Sequence, residues 1–137
     1  MSTNDLLLDV LAGEATTELT TDTYTTGCWY YRLARAIHGS VVSGALSKSF
    51  GTLDAGQQAK VLNALDELPS GIGLMSFRFL VPVMHQLDPS FRLNLLSAEA
   101  LATALILDAP LRVSTPNPQL GKAAEMLGVD YRPIPHA

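Results

Sequence analysis

Apolar positions along this chain recur with two spacings, and the alternation between them sketches an order of elements. Residues 54–68, DAGQQAKVLNALDEL, carry Val61, Leu62, Leu65 and Leu68 along one helical stripe, which Pro69-Ser70-Gly71 ends. CWYYRLARAIHG repeats Trp29, Leu33 and Ala36 or Ile37 at the same spacing, with Gly39 as a stop. From Ser76 a third helical pattern runs through Phe77, Leu80, Val81, Met84 and Leu87. Pro82 lies too deep in it for a first-turn proline, which predicts a kink or a late start. AEALATALILDA predicts a fourth helix with Ser97 as its N-cap. A fifth helix opens at Asn117-Pro118, a capping residue before a first-turn proline, and closes at Gly128.

Between these lie short strand-like runs. IGLMS (72–76) reads as a brief buried strand. LRVS places Leu111 and Val113 on one side and Arg112 and Ser114 on the other, and VDYRPI forms a last short strand. SVVSGALS is β-branched and punctuated by Gly and Ser, as at a strand edge. DLLLDVLA (5–12) fits either a strand ending at Asp9 or a helix start, because periodicity cannot separate them over so short a run. The intervening ATTELTTDTYTTG is polar and Thr-rich. Helices alternating with short apolar strands predict an α/β domain with a largely parallel sheet, an all-helical fold being the alternative.

Composition narrows the function more than the fold. With 137 residues the chain is long enough for one core, and it is read as a single domain over 1–137. At 47% hydrophobic and 16% charged residues it is globular in character. Its apolar runs are too short to span a bilayer, and no basic segment precedes an apolar one at the start, so membrane insertion and secretion are not expected. The single cysteine, Cys28, suits a reducing cytoplasm, and a net charge of −4 argues against non-specific adhesion to nucleic acid.

Several chemistries lack their residues. The histidines, His38, His85 and His136, are scattered and form no HExxH. There is no GxSxG, no GxGxxG and no GxxxxGK[ST]. Cys28 has no CxxC companion and reads as a small buried hydrophobe. The stretch CWYYRLAR sets Trp29 and two tyrosines, Tyr30 and Tyr31, beside Arg32 and Arg35. Such a cluster could stack bases and contact phosphates, form a partner surface, or simply supply core aromatics under a solvated basic face.

The segment LNLLSAEALATALILDAPLRVSTPNPQLGKAAEMLGV (93–129) resembles the C-terminal half of PIN domains, the small nuclease domains best known as VapC-type toxins of toxin–antitoxin pairs. Glu99-Ala100 matches the acidic helix opening, Asp108-Ala109-Pro110-Leu111 the strand entry and Thr115-Pro116-Asn117 the turn that normally bears an acid. LLLDVLAGEATTEL is similar to the family's first strand, its acid and the helix that follows. The resemblance implies a three-layer α/β/α sandwich with a mainly parallel central sheet, in which carboxylates at strand ends hold Mg²⁺ or Mn²⁺ for RNA cleavage. It also implies RNA as substrate, a protein partner such as an antitoxin, and a homodimer.

Carried over residue by residue, the constellation is thinned. Asp9 matches the first acid, with Asp22 as competitor, and Glu99 matches the third. The second falls near Ser47, Lys48 and Ser49, where there is no carboxylate, and the fourth is Asn117, which offers a carbonyl oxygen without charge. Asp9 and Glu99 would hold the ion, if one is bound, and Asn117 would orient its water. Each residue also has a plainer role: Asn117 as a helix cap, Glu99 as a partner of a helix dipole, Asp9 as a turn residue. The expected outcome is a nuclease-shaped domain with weak or lost activity.

Overall fold

The computed structural model describes residues 23–38, 50–113 and 116–133. Its elements run β1 (Thr23–Thr26), α1 (Gly27–His38), α2 (Ala55–Asp66), β2 (Ile72–Met75), α3 (Phe77–Met84), a 3-10 turn (Pro89–Phe91), α4 (Leu95–Leu107), β3 (Leu111–Val113), α5 (Pro118–Met126) and β4 (Tyr131–Pro133). The readings of residues 5–12 and 40–47 fall outside the described residues.

The fold is mixed α/β with parallel strands, and the strands pair two by two: β1 with β2, and β3 with β4. The Thr-rich stretch, assigned no element from its pattern, supplies β1. Thr23, Thr25 and Thr26 are buried, and β-branched side chains suit a pleated strand packed on one face. Tyr24 lies opposite Gly73 of β2, and its ring covers the place where a side chain at 73 would stand.

Local chemistry explains the helix ends. Asp54 and Gln57 form a reciprocal capping box at the start of α2. Ser76 opens α3 without delay, and Pro82 is accommodated inside it. The helix nevertheless stops at Met84 and does not reach Leu87: the Gln86 and Leu87 N–H groups reach back only three residues, to Val83 and Met84, and Pro89 follows. The N-cap of α4 is Asn94 and not Ser97: Asn94 Oδ1 accepts the Ser97 N–H at 2.8 Å, so Ser97 lies inside the first turn. At the far end of α5, Gly128 takes φ +73°. The Gly128 N–H then meets the Glu125 carbonyl at 3.2 Å and the Val129 N–H that of Ala124 at 2.8 Å, a Schellman closure that glycine makes without strain.

α4 is the centre of the domain. Ala100, Leu101, Ala102 and Ala104 are buried, and the short alanine side chains let other elements approach the helix closely. Part of α4 forms one core cluster with Leu111 and Val113 of β3 and Leu120, Ala123 and Ala124 of α5. A second cluster joins Leu33 and Ile37 of α1 with Val61 and Leu65 of α2 and Ile72 of β2.

Candidate functional site

The candidate site lies where α1 meets α4. Thr26 ends β1 and caps α1, its Oγ1 accepting the Trp29 N–H at 3.3 Å. The Trp29 indole N–H donates to the Leu96 carbonyl at 3.0 Å, which ties the first turn of α1 to the first turn of α4. Glu99 follows one turn later on α4. It is only 1% exposed, and neither of its carboxylate oxygens has a hydrogen-bond partner. Thr25 is also fully buried, with its hydroxyl unpartnered.

The described neighbour that responds to this carboxylate is the Cys28 thiol. Its pKa is pushed up to about 11, first by burial and then by Glu99, which attracts the thiol proton and repels the thiolate. That attraction stops short of a formed hydrogen bond, since both Glu99 oxygens lack a partner at bonding distance and angle. A thiol is in any case a weak donor, and it offsets little of the cost of burying a carboxylate.

Asn117 stands beside the same helix, on α5. Its Oδ1 accepts the Leu120 N–H at 3.2 Å, and its Nδ2 donates to Ser97 Oγ at 3.4 Å, two residues before Glu99. Its own N–H donates to the Tyr131 hydroxyl at 2.8 Å. The residue is therefore held from three sides, twice through its side-chain amide and once through its backbone. It turns its NH₂ toward α4 while its oxygen caps α5, so the oxygen expected to orient a metal-bound water is already engaged.

Of the expected acids, Glu99 is described and buried, whereas Asp9 and Asp22 lie outside the described residues, as does the Ser47–Ser49 stretch. Among the described residues no group of three or more His, Cys, Asp or Glu comes together. Mg²⁺ and Mn²⁺ prefer clustered oxygen ligands. Among the described residues, Glu99 has a thiol beside it and Asn117 turns its nitrogen to Ser97, which does not supply such a cluster.

The aromatic-basic helix divides by face. Trp29 packs half-buried against the α4–α5 core, and Tyr30 packs against the α1–α2 core with its hydroxyl donating to the Leu65 carbonyl. These two rings are occupied in packing and are not laid open for stacking. Arg32 and Arg35 are exposed. The outward ring is Tyr31, 65% exposed and four residues before Arg35. Of the two tyrosines in this stretch, Tyr30 is the contact expected from the sequence, and Tyr31 is the one that stands outward, one turn before Arg35. Sequence reasoning missed the pairing of Cys28 with Glu99, for which no local signal exists across 71 positions.

Among the described residues no helix is long and apolar enough to cross a membrane. Comparison with protein families, curated proteins and solved structures finds no match to this chain.

Proposed function

We propose that the chain is a degenerate PIN-like domain, a three-layer α/β/α sandwich whose acidic pocket is depleted, so that metal-dependent cleavage of RNA is weak or lost. The observation that supports this reading most is Glu99. It is an acid placed deep against a neighbouring helix, without partners, as a former ligand position would be. The described group beside it is a thiol, where a nuclease needs further carboxylates, and the amide of Asn117 is turned to Ser97. In this chain Asn117 caps α5 and bridges to Ser97; Cys28 and Trp29 close the pocket from α1.

The second reading is a non-catalytic module that binds RNA or a protein partner. It is favoured by the outward face of α1, where Tyr31 stands with Arg32 and Arg35.

The deciding experiment is a Mn²⁺ titration followed by melting temperature, together with a labelled-RNA cleavage assay, on the wild type, Asn117→Asp and Asn117→Asp/Glu99→Gln. Aspartate keeps the cap and adds a second charge near α4. The wild type should show little shift and no cleavage. Asn117→Asp should show a larger shift, which Glu99→Gln abolishes. A strong wild-type shift with cleavage that depends on Glu99 would overturn the depleted-pocket reading. No shift in any variant would remove the latent metal site and leave the binding module.

A further inference from the structure

The parallel pairing of β3 with β4 sets Arg112 directly beside Arg132. Leu111 and Val113 are buried in the core, so Arg112 stands on the opposite face of β3. On β4, Tyr131 packs against that same core, and Arg132 shares the outer face with Arg112. Neighbouring strands lie only about 5 Å apart, and like charges directly opposite one another repel.

The two arginines are not relieved equally. Arg132 is paired with Asp130, its Nη2 at 2.7 Å and its Nε at 2.8 Å from the same Oδ2. Arg112 is half-buried, its Nε is wholly removed from solvent, and that N–H has no acceptor. Among the described residues no carboxylate lies within ion-pair distance of it. The face thus carries two guanidinium groups and one carboxylate, a local positive excess on a chain of net charge −4. Arg132 and Asp130 are each about half exposed, so the face is open to solvent at the β4 edge.

We propose that this face, built on Arg112 and Arg132, is an oxyanion site that takes a phosphate group. A guanidinium presents a planar array of donors matched to phosphate oxygens, and among the described residues two of them stand side by side with one carboxylate. A phosphate bridging the outer ends of the pair cancels their repulsion; the Nε of Arg112, removed from solvent, takes no part. The site stands apart from the Glu99 pocket, needs no metal, and does not depend on the domain being PIN-like.

The test is the melting temperature of the full chain in inorganic phosphate against chloride at matched ionic strength, for the wild type, Arg112→Gln, Arg112→Lys and Arg132→Gln. Phosphate should raise the wild-type melting temperature and leave Arg112→Gln unchanged. Arg112→Lys keeps the charge without the fork and should bind about tenfold more weakly. Should Arg112→Gln fail to fold, Arg132→Gln changes a half-exposed position and should still weaken the phosphate response. Equal shifts in the wild type and both glutamine variants, or no shift in any, would overturn the proposal. A second arm measures binding of a labelled single-stranded RNA across a salt series. If the phosphate belongs to a nucleic acid backbone, Arg112→Gln lowers affinity about tenfold and reduces the salt slope by about one. If the site takes free phosphate, RNA binding is the same in both and the thermal response remains.

Discussion

Glu99→Gln should stabilise the protein. The Glu99 side chain is 1% exposed and neither oxygen is bonded, so its charged form would be compensated by no described group. An unpaired buried ion costs several kcal/mol after relaxation, whereas an unpaired neutral polar group costs only about 1–3 kcal/mol. Glutamine has the same shape and opens no cavity. It removes the charge but keeps unmade hydrogen bonds, so it recovers the difference, about 2 kcal/mol. Unfolding entropy of about 2.1 cal/mol/K per residue over 137 residues is about 0.29 kcal/mol/K, so the melting temperature should rise by about 7 °C. The assay is thermal denaturation by circular dichroism at neutral pH with a chelator present, repeated as a urea titration. An unchanged urea slope would show that the gain lies in the native state. A melting temperature that falls by a similar amount would refute the reasoning, because a donor or cation must then compensate the carboxylate in solution.

Three further outcomes rest on the β1–β2 pairing and on the Cys28 thiol. A Cβ on Gly73 would stand 2.3 Å from two ring carbons of Tyr24, so Gly73→Ala should cost about 1–3 kcal/mol in urea denaturation. The cost should largely disappear in a Tyr24→Ser background, and simple additivity in that double-mutant cycle would show that the ring does not lie over the glycine. The Cys28 thiol is raised from 9.0 to about 11 by burial first and Glu99 second, so its alkylation should be slow near pH 8 and should quicken at lower pH in Glu99→Gln. Because the folded chain holds a proton that the unfolded chain releases between about pH 9 and pH 11, this group makes stability fall as pH rises through that window. The loss should be absent in Cys28→Ser, and an identical alkylation profile in the wild type and Glu99→Gln would separate the two side chains.

What can be read along the chain is what neighbouring residues do to one another. α2 and α5 follow from their apolar spacing and from caps within three residues, Asp54 with Gln57 and Asn117 with Leu120. Gly128 closes α5 for an equally local reason. The opposed faces of β3, with Leu111 and Val113 inward and Arg112 outward, are legible from alternation alone. The N-cap of α4 is not legible in this way: the pattern points to Ser97, and Asn94 takes the role because its side chain meets the Ser97 N–H.

What no local pattern carries is the meeting of residues far apart in the chain. Thr23–Thr26 becomes a strand only because Ile72–Met75 lies alongside it, since threonine's preference for strands is weak beside the pairing that supplies its hydrogen bonds. The burial of Glu99 follows from the docking of α1 on α4 through Trp29 and Leu96, 67 positions apart, where its place along a helix suggested only a favourable dipole. The same docking gives Cys28 its neighbour and turns Trp29 inward, while packing against α2 turns Tyr30 inward and Tyr31 stays outside. Residue types and spacing are properties of the chain, but burial, pairing and charge compensation are properties of the space between elements. At Glu99 and Arg112 it is that space which sets the chemistry.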